Sequence, residues 1–66
     1  MQEYLTYRQL AEQLGWTHTS LRFWVRRYNI RHPETPVRRI WGRVNSADLE
    51  RAVESEAARR TGGAGR

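Results

Sequence analysis

Between His18 and Arg31 the chain places four arginines, Arg22, Arg26, Arg27 and Arg31, around a phenylalanine, Phe23, in a stretch with no acidic residue. The guanidinium is a planar fork of donors that fits phosphate oxygens and the edge of guanine, so the grouping is a candidate for binding a polyanion. The net charge of +5 is concentrated in the same region. Residues 18–43 carry seven arginines and one acid, Glu34, whereas residues 1–17 sum to −1 and residues 44–66 to zero. Nucleic acid is the commonest partner for such a compact positive field, the alternative being a solvated basic surface that serves only solubility. Other chemistries find little support. No paired carboxylates share a plausible cleft, Ser20 and Ser46 lack a His/Asp constellation, and no glycine-rich phosphate loop is present, so no enzyme is expected. There is no cysteine, and His18 and His32 stand apart, so neither disulfide, metal site nor cofactor is expected. No apolar run approaches a membrane span and no basic-then-apolar leader opens the chain; the expectation is a soluble, cytoplasmic protein with no membrane partner.

The arginines need a scaffold, and a chain of 66 residues makes one small domain. In Leu5–Leu14, Thr6 is placed as an N-cap, Gln9 completes a capping box, and Leu5 is set to staple onto Leu10. The buried stripe of this first helix reads Leu10, Ala11 and Leu14, with Tyr7 at its edge, and Gly15 suits a left-handed C-cap. Thr17 then caps a second helix. Two helices joined by Gly15-Trp16-Thr17 form a helix-turn-helix arrangement, with Ala11, Gly15, Trp16, Leu21 and Trp24 filling its small, turn and apolar places. A plain αα-hairpin would use similar turn chemistry but has no reason to collect arginines on its second helix.

At about 100° per residue the second helix has two sides. Leu21, Val25, Tyr28 and Trp24 fall together as a core side. Arg22, Arg26, Thr19 and Phe23 lie opposite, flanked by His18 and Arg27. In a major groove such a face offers guanidiniums to phosphates and guanines and a ring to a sugar or thymine methyl. Thr17, His18, Thr19, Arg22, Phe23, Arg26 and Arg27 are accordingly the candidate contacts. The competing place for Phe23 is burial against the wing or the last helix.

After Tyr28 the helical pattern stops, Asn29 is a candidate C-cap, and His32-Pro33-Glu34-Thr35-Pro36 is rich in turn formers. Two short extended pieces are expected around it, residues 29–31 and 38–44, forming a wing whose tip projects basic residues. Alternation in the second piece puts Ile40, Gly42 and Val44 on one face and Arg39, Trp41 and Arg43 on the other. The candidate wing contacts are Arg31, Arg38, Arg39 and Arg43, with Trp41 alternatively a cap on the core. A third helix opens at Ser46 as N-cap, with Asp48 in its first turn and Leu49, Ala52 and Val53 as its apolar stripe. Beyond Val53 the pattern thins. Residues 1–53 are expected to form the domain, and 54–66 a frayed helix end and disordered tail. The fold class is mainly α with a small β-hairpin: a winged helix-turn-helix of three helices and a two-stranded wing.

These residues resemble a known group. Ser20-Leu21-Arg22-Phe23-Trp24 is similar to the Thr-Leu-Arg-Tyr-Tyr signature of MerR-type regulators. Asn45-Ser46-Ala47-Asp48-Leu49 is similar to the segment after the wing in that group and in the excisionases of phages and mobile elements. The likeness covers about residues 4–53 and implies that Arg22 and Phe23 lie against the DNA backbone, with Arg38 and Arg39 acting from the wing. The wing departs from the pattern in having Gly42 where those domains usually carry an aromatic, and neither a long dimerisation helix nor an effector domain is expected after Val53. The resemblance therefore implies a double-stranded DNA-binding protein of excisionase, or recombination directionality, type. It would bind adjacent sites with further copies of itself and bend DNA for an integrase in a bacterium or its phage. A small MerR-like transcription regulator, the DNA-binding part of a terminase small subunit and a protein-interaction adaptor are the alternatives.

Overall fold

The computed structural model describes residues 3–64, with side chains through residue 59. Strand β1 (Tyr4–Thr6) leads directly into helix α1 (Tyr7–Leu14), which is followed by helix α2 (His18–Arg31). A hairpin of β2 (Arg39–Ile40) and β3 (Arg43–Asn45) comes next, then helix α3 (Ser46–Ala64). Three helices and an antiparallel wing make a winged helix-turn-helix. The wing has a third strand that the sequence reading did not include: β1 pairs antiparallel with β3, placing Leu5 opposite Val44, so β3 is the central strand of the sheet.

The ends of α1 follow from its sequence. Thr6 Oγ1 accepts the Gln9 N–H at 3.1 Å while Gln9 Oε1 accepts the Thr6 N–H at 3.0 Å, the reciprocal pair of a capping box. At the other end Gly15 takes φ 76°. The Gly15 N–H donates to Glu12 O and the Trp16 N–H to Ala11 O, satisfying carbonyls that the last turn would otherwise leave open. Thr17 accepts the Ser20 N–H and starts α2.

The core lies where α1, α2, α3 and the sheet converge. Leu10, Ala11, Leu21, Val25, Tyr28, Val37, Val44, Leu49 and Ala52 are buried, with Leu5, Tyr7, Trp16, Trp24 and Val53 packed around them. Leu14, expected in the buried stripe, instead stands at the margin beside a groove shared with Leu5, Leu10, Leu49 and Val53. A row of aromatics supports α2 from one side. Trp16 meets Trp24 edge-on at 5.8 Å, Trp24 stacks on Tyr28 at 5.2 Å, and Tyr28 lies against His32 at 4.3 Å. His32 reaches α3, its Nε2 3.5 Å from a carboxylate oxygen of Glu56.

Several local assignments change. Residues 29–31 are the last turn of α2, not a strand, and His32, not Asn29, closes the helix through its N–H to Tyr28 O. Asn29 is diverted to tertiary work: its Oδ1 accepts the Val37 N–H at 2.7 Å and its Nδ2 donates to Val37 O at 3.1 Å. Those two bonds hold the loop so that Val37 can be buried. The wing's turn is Trp41–Gly42, inside the piece read as one strand, with φ 52° and 75° at the two residues as a type I′ turn requires. Ile40 therefore pairs with Arg43 and points away from the face of Val44. Trp41 caps nothing, since it is 95% exposed. A left-handed tryptophan costs the hairpin about 1–2 kcal/mol relative to an ordinary backbone.

The third helix is capped one residue earlier than expected: Asn45 Oδ1 accepts the Asp48 N–H at 2.9 Å, while Ser46 binds Glu3 O through both its N–H and its hydroxyl. That helix also continues past Val53 as far as Ala64, where a frayed end and disordered tail were expected; residues 65 and 66 of that tail lie outside the described residues.

Candidate nucleic-acid interface

Burial of Leu21, Val25 and Tyr28 fixes the rotation of α2 and so decides what faces outward. His18, Thr19, Arg22, Phe23, Arg26 and Arg27 are exposed together, as the helical period requires. Phe23 is 54% exposed, which removes burial against the wing or α3 as its explanation. Because α2 extends to Arg31, this face is a turn longer than the sequence reading allowed. Ile30, 72% exposed and two turns beyond Phe23, belongs to it. A strand over residues 29–31, as expected from the sequence, would take Ile30 off this face; continued helical periodicity through Ile30 is the signal that keeps it there.

Among the described residues no carboxylate pairs with Arg22, Arg26, Arg27, Arg31, Arg39 or Arg43. Arg22 has a different neighbour: its guanidinium carbon sits 5.4 Å from the centre of the Tyr7 ring, a cation–π contact that orients the side chain without neutralising it. Thr17 uses its hydroxyl as the acceptor for the helix cap, which leaves the hydroxyl proton to donate outward. Thr17 and Ser20, with Trp16, Phe23, Trp24 and Arg27, line an open groove of about 610 Å³ along the start of α2. Hydroxyl donors, exposed helix N–H groups and aromatic walls suit a sugar-phosphate strand.

The expected wing residues divide. Arg31 is not in the wing at all but ends α2, where a cation complements the helix dipole. Arg39 and Arg43 are exposed on β2 and β3 near the tip. Arg38 behaves differently. Its Nε donates to Asp48 Oδ2 at 2.7 Å, its Nη2 to Oδ1 at 3.3 Å, and its backbone N–H to the same carboxylate at 3.2 Å. Arg51 adds a longer bond at 3.4 Å. Asp48 is buried, and the Arg38 side-chain hydrogen bonds hold its carboxyl below the usual aspartate value, against the opposing effect of burial. The Arg38 guanidinium is correspondingly pushed up by the same partner. Arg38 is thus a clasp between the base of the wing and the first turn of α3.

This geometry of capped helix, tight turn, outward-facing cationic helix and wing has a counterpart among known families. The family model of MerR helix-turn-helix regulatory proteins matches residues 5–54. The chain belongs to the MerR helix-turn-helix family. The match runs from within β1 into the first half of α3, so α1, α2, β2 and β3 lie wholly inside it. No curated protein and no solved structure matches the chain. A MerR-type helix-turn-helix binds double-stranded DNA, and the chain is a DNA-binding protein on that ground. Among the described residues no helix is long and apolar enough to cross a membrane.

Proposed function

We propose that α2 enters the major groove of duplex DNA, with Arg22, Arg26 and Arg27 on phosphates and base edges and Phe23 against a sugar or thymine methyl. Thr17, His18 and Thr19 contact the strand that passes the start of the helix, and Arg39 and Arg43 approach the neighbouring backbone. The observation that carries this reading is the outer face of α2, where Arg22, Arg26, Arg27 and Phe23 are exposed with no acid among them and, among the described residues, no carboxylate paired to any of the three arginines.

A single head of this size buries only about 600–1,000 Å² on DNA, which favours several copies side by side over one copy acting alone. On that basis the chain acts as an excisionase-like architectural factor, binding adjacent sites and bending DNA for an integrase. A second reading, a transcription regulator, is favoured by the family match, which is to regulatory proteins. Selecting bound duplexes from a random-sequence pool and footprinting the winners separates the two. Contiguous protection over repeated direct sites, growing with protein concentration, supports the architectural role; one short isolated footprint supports the regulator. Failure to retain any duplex in dilute buffer would overturn both.

A further inference from the structure

Trp41 is the most exposed large apolar side chain of the described residues, at 95%, and it occupies a left-handed backbone position that favours Asn or Gly. It contributes no burial to the fold and strains the turn that carries it, so its use lies outside the chain. Its surroundings indicate what it meets. Ile40 beside it is 49% exposed, and Arg39 and Arg43 flank the tip with no carboxylate partner among the described residues. The hairpin is firmly mounted: β3 is the central strand between β1 and β2, and the Arg38–Asp48 clasp ties the wing's base to α3. An apolar ring on a stiff projection, bracketed by two guanidiniums, complements a groove floor between two phosphate ridges.

We propose that Trp41, backed by Ile40, is a wedge that enters the minor groove and partly unstacks a base step while Arg39 and Arg43 hold the phosphates on either side. Apolar side chains inserted in this way kink the duplex, most easily at a flexible pyrimidine–purine step. The proposal rests on the DNA-binding reading above and adds to it the source of a bend.

The test compares the full chain with Trp41→Asn and Trp41→Phe. Asn-Gly is the preferred type I′ pair, so Trp41→Asn is expected to fold with a raised melting temperature. Its affinity for a duplex with a central TA step should fall by about tenfold, the scale of one lost aromatic–base contact. The bend, read by energy transfer between dyes on the duplex ends, should relax. Trp41→Phe should retain both affinity and bend. Binding to heparin, a polyanion without bases, should be the same for all three proteins. If the parent bends the duplex and Trp41→Asn bends it equally, the wedge is wrong while DNA binding stands. Sedimentation showing a dimer lost in Trp41→Asn, with DNA affinity unchanged, would assign the tryptophan to self-association and overturn the proposal. A parent protein that binds no duplex overturns the wedge together with the reading beneath it.

Discussion

Arg26 and Arg38 lie in the same basic stretch and nothing in their immediate neighbours tells them apart, yet the fold gives them opposite work. Arg26 stands on the outer face of α2, exposed and without a carboxylate partner among the described residues. Arg38 spends its guanidinium and its backbone N–H on Asp48. The difference comes from what each is mounted on. The position of Arg26 is set by helical period once Leu21, Val25 and Tyr28 are buried. Arg38 meets Asp48 only after the loop has folded back onto α3. A basic cluster in a small chain is thus two populations, one free to meet phosphate and one already neutralised.

That contrast can be broken by mutation. The largest effect should come from the anchor of the free population: Leu21→Ala removes a fully buried side chain and should destabilise the fold by about 2–5 kcal/mol in a denaturant titration, with DNA affinity falling only as the folded fraction falls. Asp48→Ala should destabilise by about 1–3 kcal/mol by leaving the part-buried Arg38 backbone N–H without its acceptor, and should leave the affinity contributed by α2 intact. The reverse pattern is expected of Arg26→Ala, a loss of about 1–3 kcal/mol in duplex binding at an unchanged melting temperature. If instead Arg26→Ala melts early, the outer face of α2 has been drawn wrongly. The smallest effect belongs to Tyr7→Phe against Tyr7→Ala. Phenylalanine keeps a ring under Arg22, whereas alanine removes it and should weaken binding by about 0.5–1 kcal/mol.

Acid sharpens the same division. Asp48 has a folded-state pKa below the ordinary aspartate value, so its contribution to stability is fully present above about pH 4 and fades as pH falls through the depressed value. Midpoints of urea unfolding measured across that range should decline for the parent more steeply than for Asp48→Asn.

The parts legible in the sequence were those decided within a few residues. Thr6, Gln9, Gly15 and Thr17 mark their caps through bonds to near neighbours, and the core side of α2 follows from period alone. The wing was read in the wrong register for the opposite reason. Its turn uses Trp41 in a conformation that tryptophan rarely adopts, its third strand comes from the other end of the chain, and Asn29 caps no helix because Val37 claims its side chain. The outward set on α2 was anticipated apart from Ile30. Of the expected wing set, Arg31 belongs to a helix end and Arg38 to an ion pair with a residue ten positions away, neither of which local pattern shows.

The central claim is that the outer face of α2 is an open cationic surface for a duplex, and salt reads it most directly. The affinity of the full chain for double-stranded DNA, measured by fluorescence anisotropy over a range of salt concentrations, should fall with a slope of log K against log[salt] of about −5 if five or six phosphates are engaged. The slope should become shallower by about one in Arg26→Ala if that residue holds a phosphate. A parent slope near zero, or one that Arg22→Ala, Arg26→Ala and Arg27→Ala all leave unchanged, would contradict it.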